Sequence, residues 1–197
     1  MGANSIRSIN NIVDIANLVM LETGQPFHIF DYGALLGKKK IVIHKTEGGE
    51  IMTALHSQKL TLNSDDIVIS SGGKIIDLAG IIGTQETALT PQTKNILIEC
   101  ASFNATSIKK TANRLNISTS ASQYFSRRAN LVLTPPSTLS RVTSLIIESY
   151  GGNLNSGEIF TYKEAIEKEE QQSIAISPEF ITKKIGQFLP EQVISNI

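Results

Sequence analysis

Residues 10–31 read Asn-Asn-Ile-Val-Asp-Ile-Ala-Asn-Leu-Val-Met-Leu-Glu-Thr-Gly-Gln-Pro-Phe-His-Ile-Phe-Asp, and this stretch determines how the chain begins to fold. Four of its apolar side chains recur at helical spacing: Ile12, Ile15, Ala16 and Val19. Gly24 stands where the residue that ends a helix belongs, and Pro26 blocks its continuation. We therefore predict a buried helix, followed by a loop that carries His28 and Asp31.

Composition sets the size of the core and argues against several classes of protein. The 197 residues are 41% hydrophobic, which is enough for one sizeable core with a small appendage. No stretch approaches the ~20 apolar residues of a membrane span, and no signal peptide opens the chain. The lone Cys100 excludes an intramolecular disulfide, which fits a reducing, cytoplasmic setting. Cys100 follows an apolar run and is expected to be a small core residue, and too few Cys and His residues are present for a structural zinc site.

Charge is distributed unevenly, although the formal net charge is zero. Residues 100–147 contain no acid and six basic side chains: Lys109, Lys110, Arg114, Arg127, Arg128 and Arg141. Such a tract is typical of a surface that faces a polyanion. The alternative is a solvated face whose acids come from other segments after folding.

The order of the predicted elements indicates an α+β fold, in which short mixed or antiparallel strands are followed by a helical segment packed on them. Strands are predicted at 39–45, 51–55, 59–62, 66–70, 74–79 and 95–100, with turn signals between most of them. Helices are predicted at 105–115, 120–129 and 136–150, and a returning strand at 157–162. A Glu-rich linker at 163–172 precedes a predicted strand at 173–177, a short helix at 178–186 and a last segment at 190–197.

Four segments, in order, resemble the central editing module of bacterial phenylalanyl-tRNA synthetase beta subunits. Residues 10–31 are similar to its Asn-Asn-Val-Val-Asp segment and the following Gly-Gln-Pro-hydrophobic-His-Ala-Phe-Asp. Residues 77–83, Asp-Leu-Ala-Gly-Ile-Ile-Gly, resemble its Leu-Ala-Gly-Ile-Met-Gly-Gly loop. Residues 95–103 resemble its Asn-Ile-Leu-Leu-Glu strand, and residues 111–125 its Arg-Leu-Gly-Leu-x-Thr-Glu-Ala-Ser run.

This resemblance implies post-transfer editing, in which tyrosine wrongly joined to tRNA(Phe) is removed by hydrolysis of the ester. Residues 1–162 would form the editing domain, 163–172 a linker, and 173–197 the truncated start of the next module. The expected partners are tRNA(Phe) and the synthetase alpha subunit, in an alpha2beta2 tetramer. No cofactor or metal is implied for this domain, whereas ATP and magnesium serve the whole synthetase.

Three catalytic candidates follow from the resemblance. Glu99 ends an apolar strand and matches the glutamate that accepts the phenol proton of tyrosine, although a structural hydrogen bond is its alternative interpretation. His28 matches a histidine near the ester, where neutral imidazole can orient water or take a proton; read alone, it is more often a structural residue. Thr119 matches a pocket threonine and is also a plausible helix N-cap.

Further residues are expected around these three. The substrate-binding candidates are Ala121, Ile29, Gly80 and Gly83. The tRNA-binding candidates are Arg7, Lys109, Lys110, Arg114, Arg127 and Arg128. Ile29 replaces the family's usual alanine and Thr84 a usual glycine, so a rival reading is a non-catalytic module for tRNA placement and subunit contact, with a narrowed pocket. A free-standing small-molecule hydrolase is disfavoured, because the sequence has no Gly-x-Ser-x-Gly elbow, activated cysteine or metal cluster.

Overall fold

The computed structural model describes residues 10–37, 40–127, 134–154 and 175–195. The chain divides into two compact units, Met1–Ile159 and Phe160–Ile197. Arg7, Arg128, the strand expected at 157–162 and the linker expected at 163–172 lie outside the described residues.

Helix α1 (Asn11–Thr23) forms where the opening stretch predicts it. Asn10 caps its first turn by accepting a hydrogen bond from the Val13 amide at 2.9 Å. Gly24 ends it at φ +69°, in the left-handed region, and donates its amide to Met20 O at 2.9 Å. Gly24 is the local signal from which the end of this helix could be predicted from the sequence.

The segment after Pro26 differs from the prediction, because it forms a strand rather than a loop. Strand β1 (His28–Asp31) pairs antiparallel with β8 (Ile96–Glu99), the last strand in the part of this unit that the structure describes. The pairing partners are almost 70 residues apart, so the hydrogen bonds that make β1 a strand leave no local trace in the sequence. His28 is consequently held on a sheet.

The remaining strands form two further antiparallel sheets. One contains β2 (Val42–Lys45), β5 (Ile67–Ser71), β6 (Lys74–Leu78) and β7 (Ile82–Gly83), in the order β2-β5-β6-β7. The other pairs β3 (Ile51–Thr53) with β4 (Lys59–Thr61). All described pairings are antiparallel, and the α+β class predicted from the sequence is confirmed.

Among the described residues of the same unit, three helices follow β8: α2 (Ala105–Leu115), α3 (Ser120–Ser126) and α4 (Thr134–Tyr150). Helix α4 packs against α1, and α2 against α3. The main hydrophobic cluster includes Phe30 of β1, Leu78 of β6, Ile108 of α2 and Phe125 of α3, so α2 and α3 pack on the sheets through one core.

The second unit is described over residues 175–195 and contains α5 (Pro178–Ile185) and α6 (Glu191–Ile194). The strand expected at 173–177 does not form over residues 175–177. Ser177 instead caps α5 by accepting a hydrogen bond from the Phe180 amide at 3.2 Å.

Candidate functional site

The antiparallel register of β1 and β8 places His28 directly opposite Glu99. Directly opposed residues project from the same face of a sheet, so the two side chains are neighbours. The His28 ring also contacts Phe30 two residues along the strand, with ring centroids 4.3 Å apart. Two of the three predicted catalytic residues, His28 and Glu99, are therefore brought together from positions 71 apart in sequence.

A third polar group, Asp77, joins this pair from β6. Its Oδ2 lies 3.5 Å from His28 Nδ1, and its side chain is 5% exposed, against 31% for His28. Sequence reasoning placed Asp77 in a motif but did not select it as a site residue. The available signal was an acid in the apolar run of β6, immediately before the Leu-Ala-Gly segment.

Gly83 opposes Asp77 in the β6–β7 register and leaves the space that this cluster occupies. A Cβ at Gly83 would lie 2.7 Å from His28 Cε1 and 3.2 Å from Asp77 Oδ2. The need for glycine here is steric, because its φ lies outside the left-handed region. Any side chain at position 83 would displace the imidazole or the carboxyl group.

Glu99 is buried, and one of its carboxyl oxygens lacks a hydrogen bond within the described residues. Its Oε1 has no hydrogen-bond partner among the described residues, and none of their Lys or Arg side chains forms an ion pair with it. Burial, and secondly the nearby charge of Asp77, raises the pKa of Glu99 to about 8. Glu99 is therefore mainly a neutral carboxylic acid at pH 7, able both to donate and to accept a hydrogen bond.

The neighbouring groups also titrate far from their ordinary values. Burial raises the pKa of Asp77 to about 7 and lowers that of His28 to about 4. The imidazole is thus neutral at pH 7 and retains one nitrogen as an acceptor. Burial, followed by the charge of Glu99, raises the pKa of the Cys100 thiol to about 12, so this cysteine remains protonated and is a poor nucleophile.

Thr119, Ala121 and Gly80 surround the β6–β7 turn. Thr119 caps α3 by accepting from the Ser122 amide at 3.1 Å, and its hydroxyl donates to Ile81 O at 2.9 Å. Ala121 packs against the hydrophobic cluster. Gly80 has φ +68°, and a Cβ there would lie 2.9 Å from a carbon of the Phe125 ring. All three residues have structural contacts, whatever further role they have.

The two departures from the family pattern lie away from the His28 ring. Alternation along β1 places Ile29, which is 9% exposed, on the face opposite His28. Thr84 follows Gly83 and therefore faces away from the imidazole, and its hydroxyl lies 3.3 Å from that of Thr87. Neither side chain narrows the space beside His28 and Glu99.

The basic tract divides into paired and unpaired groups. Arg114 binds the buried Asp66, and Arg141 binds Glu22 with an Nε–Oε2 distance of 3.0 Å. Lys109, Lys110 and Arg127 are exposed and have no ion-pair partner within the described ranges. Acids from other segments therefore neutralise part of the tract, as the alternative interpretation expects, and leave the rest available to a polyanion.

Among the described residues, no group of three or more His, Cys, Asp or Glu side chains is arranged to hold a metal ion. None of the helices in that part of the chain combines the length and the apolar character needed to cross a bilayer.

Comparison with known proteins adds independent findings. A family model described as the B3/4 domain matches residues 1–151. The chain is 36% identical over 184 residues to the phenylalanine–tRNA ligase beta subunit of Moorella thermoacetica, covering 93% of this chain and 22% of that subunit. The chain is 39% identical over 160 residues to the same subunit of Geobacter sulfurreducens, and the match covers 81% of this chain and 20% of that subunit.

The corresponding subunit of Yersinia pestis is 34% identical over 192 residues, which cover 98% of this chain and 24% of the relative. The chain therefore spans about a fifth to a quarter of the length of these curated relatives.

Proposed function

The chain belongs to the B3/4 domain family, and we propose that it is the post-transfer editing domain of a phenylalanine–tRNA ligase beta subunit, where it hydrolyses tyrosyl-tRNA(Phe). One observation carries the proposal: a buried carboxyl oxygen of Glu99 has no hydrogen-bond partner among the described residues, and Glu99 stands opposite the neutral His28. A buried polar atom without a hydrogen bond costs about 1–3 kcal/mol of stability. The unpartnered oxygen of Glu99 is therefore better explained by the binding of a ligand than by a contribution to the stability of the fold.

Tyrosine and phenylalanine differ by one hydroxyl group, which is what Glu99 would recognise. The tyrosine phenol O–H would donate to Oε1, whereas phenylalanine would leave Oε1 unsatisfied. A site built to hydrogen-bond a hydroxyl rejects the analogue that lacks it far more strongly than an apolar pocket rejects an added hydroxyl. The selection for tyrosine is therefore assigned to Glu99.

His28 would orient the water that attacks the ester. Its pKa of about 4 makes the imidazole a weak base at pH 7, so holding a water by hydrogen bonding suits it better than removing a full proton. Water adds to the ester carbonyl, the bond to the ribose oxygen breaks, and the products are tyrosine and tRNA with a free 3′ terminus. Side chains and water suffice for this step, and ATP and magnesium would serve aminoacylation elsewhere in the ligase.

The exposed basic side chains would contact the tRNA backbone. Lys109, Lys110 and Arg127 are assigned to this role, together with Arg7 and Arg128. Arg114 is a weaker candidate, because Asp66 already neutralises it. Thr119, Ala121 and Gly80 would border the aminoacyl group. Within a ligase, the domain would act on tRNA(Phe) in association with the alpha subunit.

Deacylation by a ligase whose beta subunit carries this chain tests the proposal. Tyrosyl-tRNA(Phe) and phenylalanyl-tRNA(Phe) are compared for the parent, Glu99→Ala and His28→Ala. The parent is expected to hydrolyse the tyrosyl ester preferentially. Glu99→Ala should lower that preference at least about tenfold, and His28→Ala should slow hydrolysis of both esters.

Glu86→Ala is the matched control, because Glu86 is an exposed carboxylate paired with Lys74 at the surface. It should leave both rates unchanged. Hydrolysis no faster than the spontaneous rate in the parent and in all variants would refute the proposal and favour a non-catalytic module for tRNA positioning and subunit contact. The structurally engaged Thr119 hydroxyl is the observation that favours that second function.

A further inference from the structure

Asp77 is a buried acidic residue beside His28, and the hydrolysis described above gives it no role. It lies just before the Leu-Ala-Gly segment that carries the family resemblance, and it is 95% buried. Within the described residues no Lys or Arg forms an ion pair with it. A carboxyl group in such surroundings costs stability, so a purely structural role would be served better by a neutral side chain.

The contacts of Asp77 point to the imidazole of His28. Oδ2 lies 3.5 Å from Nδ1, a little longer than a good hydrogen bond. Hydrogen bonds of this kind are often long in ligand-free sites and shorten when substrate binds. In its ionised form the Asp77 carboxylate can only accept from Nδ1, so it favours the tautomer with the proton on that nitrogen, and Nε2 is then the acceptor.

The packing around Gly83 indicates that the contact between His28 and Asp77 is specific. The space that a Cβ at position 83 would take is shared by the His28 ring and Asp77 Oδ2. Three strands therefore contribute to one small volume: β1 the imidazole, β6 the carboxyl group and β7 the missing side chain. Phe30 packs against the other part of the ring and restricts its rotation.

We propose that Asp77 is a positioning residue of this site, which holds His28 through Nδ1 so that Nε2 is left to orient the hydrolytic water. The inference rests on the proposed ester hydrolysis. The arrangement resembles the histidine and buried carboxylate of hydrolytic triads in its logic: the acid fixes the tautomer and the ring direction, and the imidazole meets the reacting water.

The titratable groups that face this contact are few. His28 comes from β1 and Glu99 from β8, and Cys100 follows Glu99 with its thiol protonated. Asp77 also raises the pKa of Glu99, so its removal should move the titration of Glu99 to lower pH. Loss of Asp77 thus has two signatures, one at His28 and one at Glu99.

Deacylation kinetics of the ligase carrying this chain provide the first test. Asp77→Ala is expected to lower kcat for tyrosyl-tRNA(Phe) about tenfold, because loss of a group that orients a functional histidine costs at least about tenfold in activity. KM should change less than about twofold, since Asp77 does not contact the substrate. Asp77→Asn should recover part of the loss, since its amide oxygen still accepts from Nδ1. It should also move to lower pH the point at which tyrosine selectivity changes with the ionisation of Glu99, because the charge beside Glu99 is gone. Glu86→Gln, at an exposed carboxylate, is the control.

Nitrogen NMR of the His28 ring in the full 197-residue chain is the second test and does not depend on hydrolysis. The parent is expected to show the tautomer protonated at Nδ1, and Asp77→Ala to lose that preference. Unchanged kinetics and an unchanged tautomer in Asp77→Ala would overturn the inference, while Glu99→Ala could still lose selectivity and leave the proposed function intact. A parent without deacylation would refute the proposed function, and the tautomer would then decide the role of Asp77 alone.

Discussion

Two buried acidic sites lie in the same unit, and their carboxyl groups are treated in opposite ways. Asp66, which is 2% exposed, accepts from the Thr111 hydroxyl at 2.6 Å and from the Asn63 amide at 2.8 Å, and it pairs with Arg114. Glu99 and Asp77 have no cation among the described residues, and Glu99 keeps an oxygen without a partner. At Asp66 the protein itself supplies the hydrogen bonds and the cation that the carboxylate needs. At Glu99 a carboxyl oxygen can still accept a hydrogen bond from a ligand.

This contrast separates stability from function. A buried carboxylate that serves the fold is surrounded by donors, because an uncompensated one costs several kcal/mol. A pair of acids that face each other across an imidazole gains no such compensation. Strained electrostatics of this kind cluster at functional sites. Substitutions at the Asp66 site should therefore cost stability, whereas those at the Glu99 site should change chemistry and titration.

Arg114→Ala should give the largest stability loss. The change leaves Asp66 buried without its cation, and we expect the free energy of unfolding to fall by about 3 kcal/mol. Urea denaturation at pH 7 measures it. In the double variant Arg114→Ala with Asp66→Asn the buried charge is absent, so part of the loss should be recovered. A loss below about 1 kcal/mol would mean that Asp66 is not held by Arg114.

Thr111→Val removes a second partner of Asp66 with little change of shape. The hydroxyl donates to a buried carboxylate, so we expect a loss of about 2 kcal/mol. Thr87→Val is the matched control, because Thr87 is also buried but, among the described residues, its hydroxyl contacts just the neutral Thr84 hydroxyl, at 3.3 Å. Equal losses in the two variants would show that the charge of Asp66 adds nothing to the hydrogen bond.

Gly83→Ala tests the packing of the other site. The new Cβ would lie 2.7 Å from His28 Cε1, and overpacking of this kind should cost about 1–2 kcal/mol. The ring would also be displaced from Asp77. In the double variant Gly83→Ala with His28→Ala the space is free, so the cost of the added methyl group should largely disappear. Additive costs in that cycle would contradict the close approach.

Sequence alone supplied the parts of this contrast that depend on local signals. The end of α1 at Gly24 and the strand that ends in Glu99 follow from residues within one element. The strand nature of His28 did not, because β1 exists only through pairing with β8. The role of Asp77 also depends on a non-local contact. Its neighbour, the His28 imidazole, comes from another strand, so the contact is visible only in the folded structure.

The same limit explains the treatment of Arg114, Ile29 and Thr84. As a sequence, residues 100–147 show Arg114 without any acid, while its partner Asp66 lies 48 positions away. Ile29 and Thr84 were expected to narrow the pocket because they are bulkier than the family's usual residues. The strand faces on which they lie, fixed by the pairing of β1 and β7, direct them away from His28.

The smallest expected effect is the pH dependence of stability at the unsatisfied site. The pKa values of Asp77 and Glu99 are raised to about 7 and about 8, so the folded state holds these protons more tightly than the unfolded chain does. Their contribution is fully present below the ordinary carboxyl range and is lost as pH rises through 7 and 8. His28 has the opposite sign, because its pKa is lowered to about 4: its contribution is present above the ordinary histidine value and is lost as pH falls through 4.

Between pH 7 and 8 the His28 contribution is nearly constant, and the two carboxyl groups can be observed alone. We expect the free energy of unfolding to fall by on the order of 1 kcal/mol across this window in the parent. The fall should be absent in the double variant Asp77→Asn with Glu99→Gln, measured by urea denaturation at both pH values. Asp65→Asn, at a carboxylate 93% exposed, should keep the parental slope. Parallel slopes in the parent and the double variant would mean that Asp77 and Glu99 titrate normally, and the contrast with Asp66 would then rest on hydrogen bonding alone.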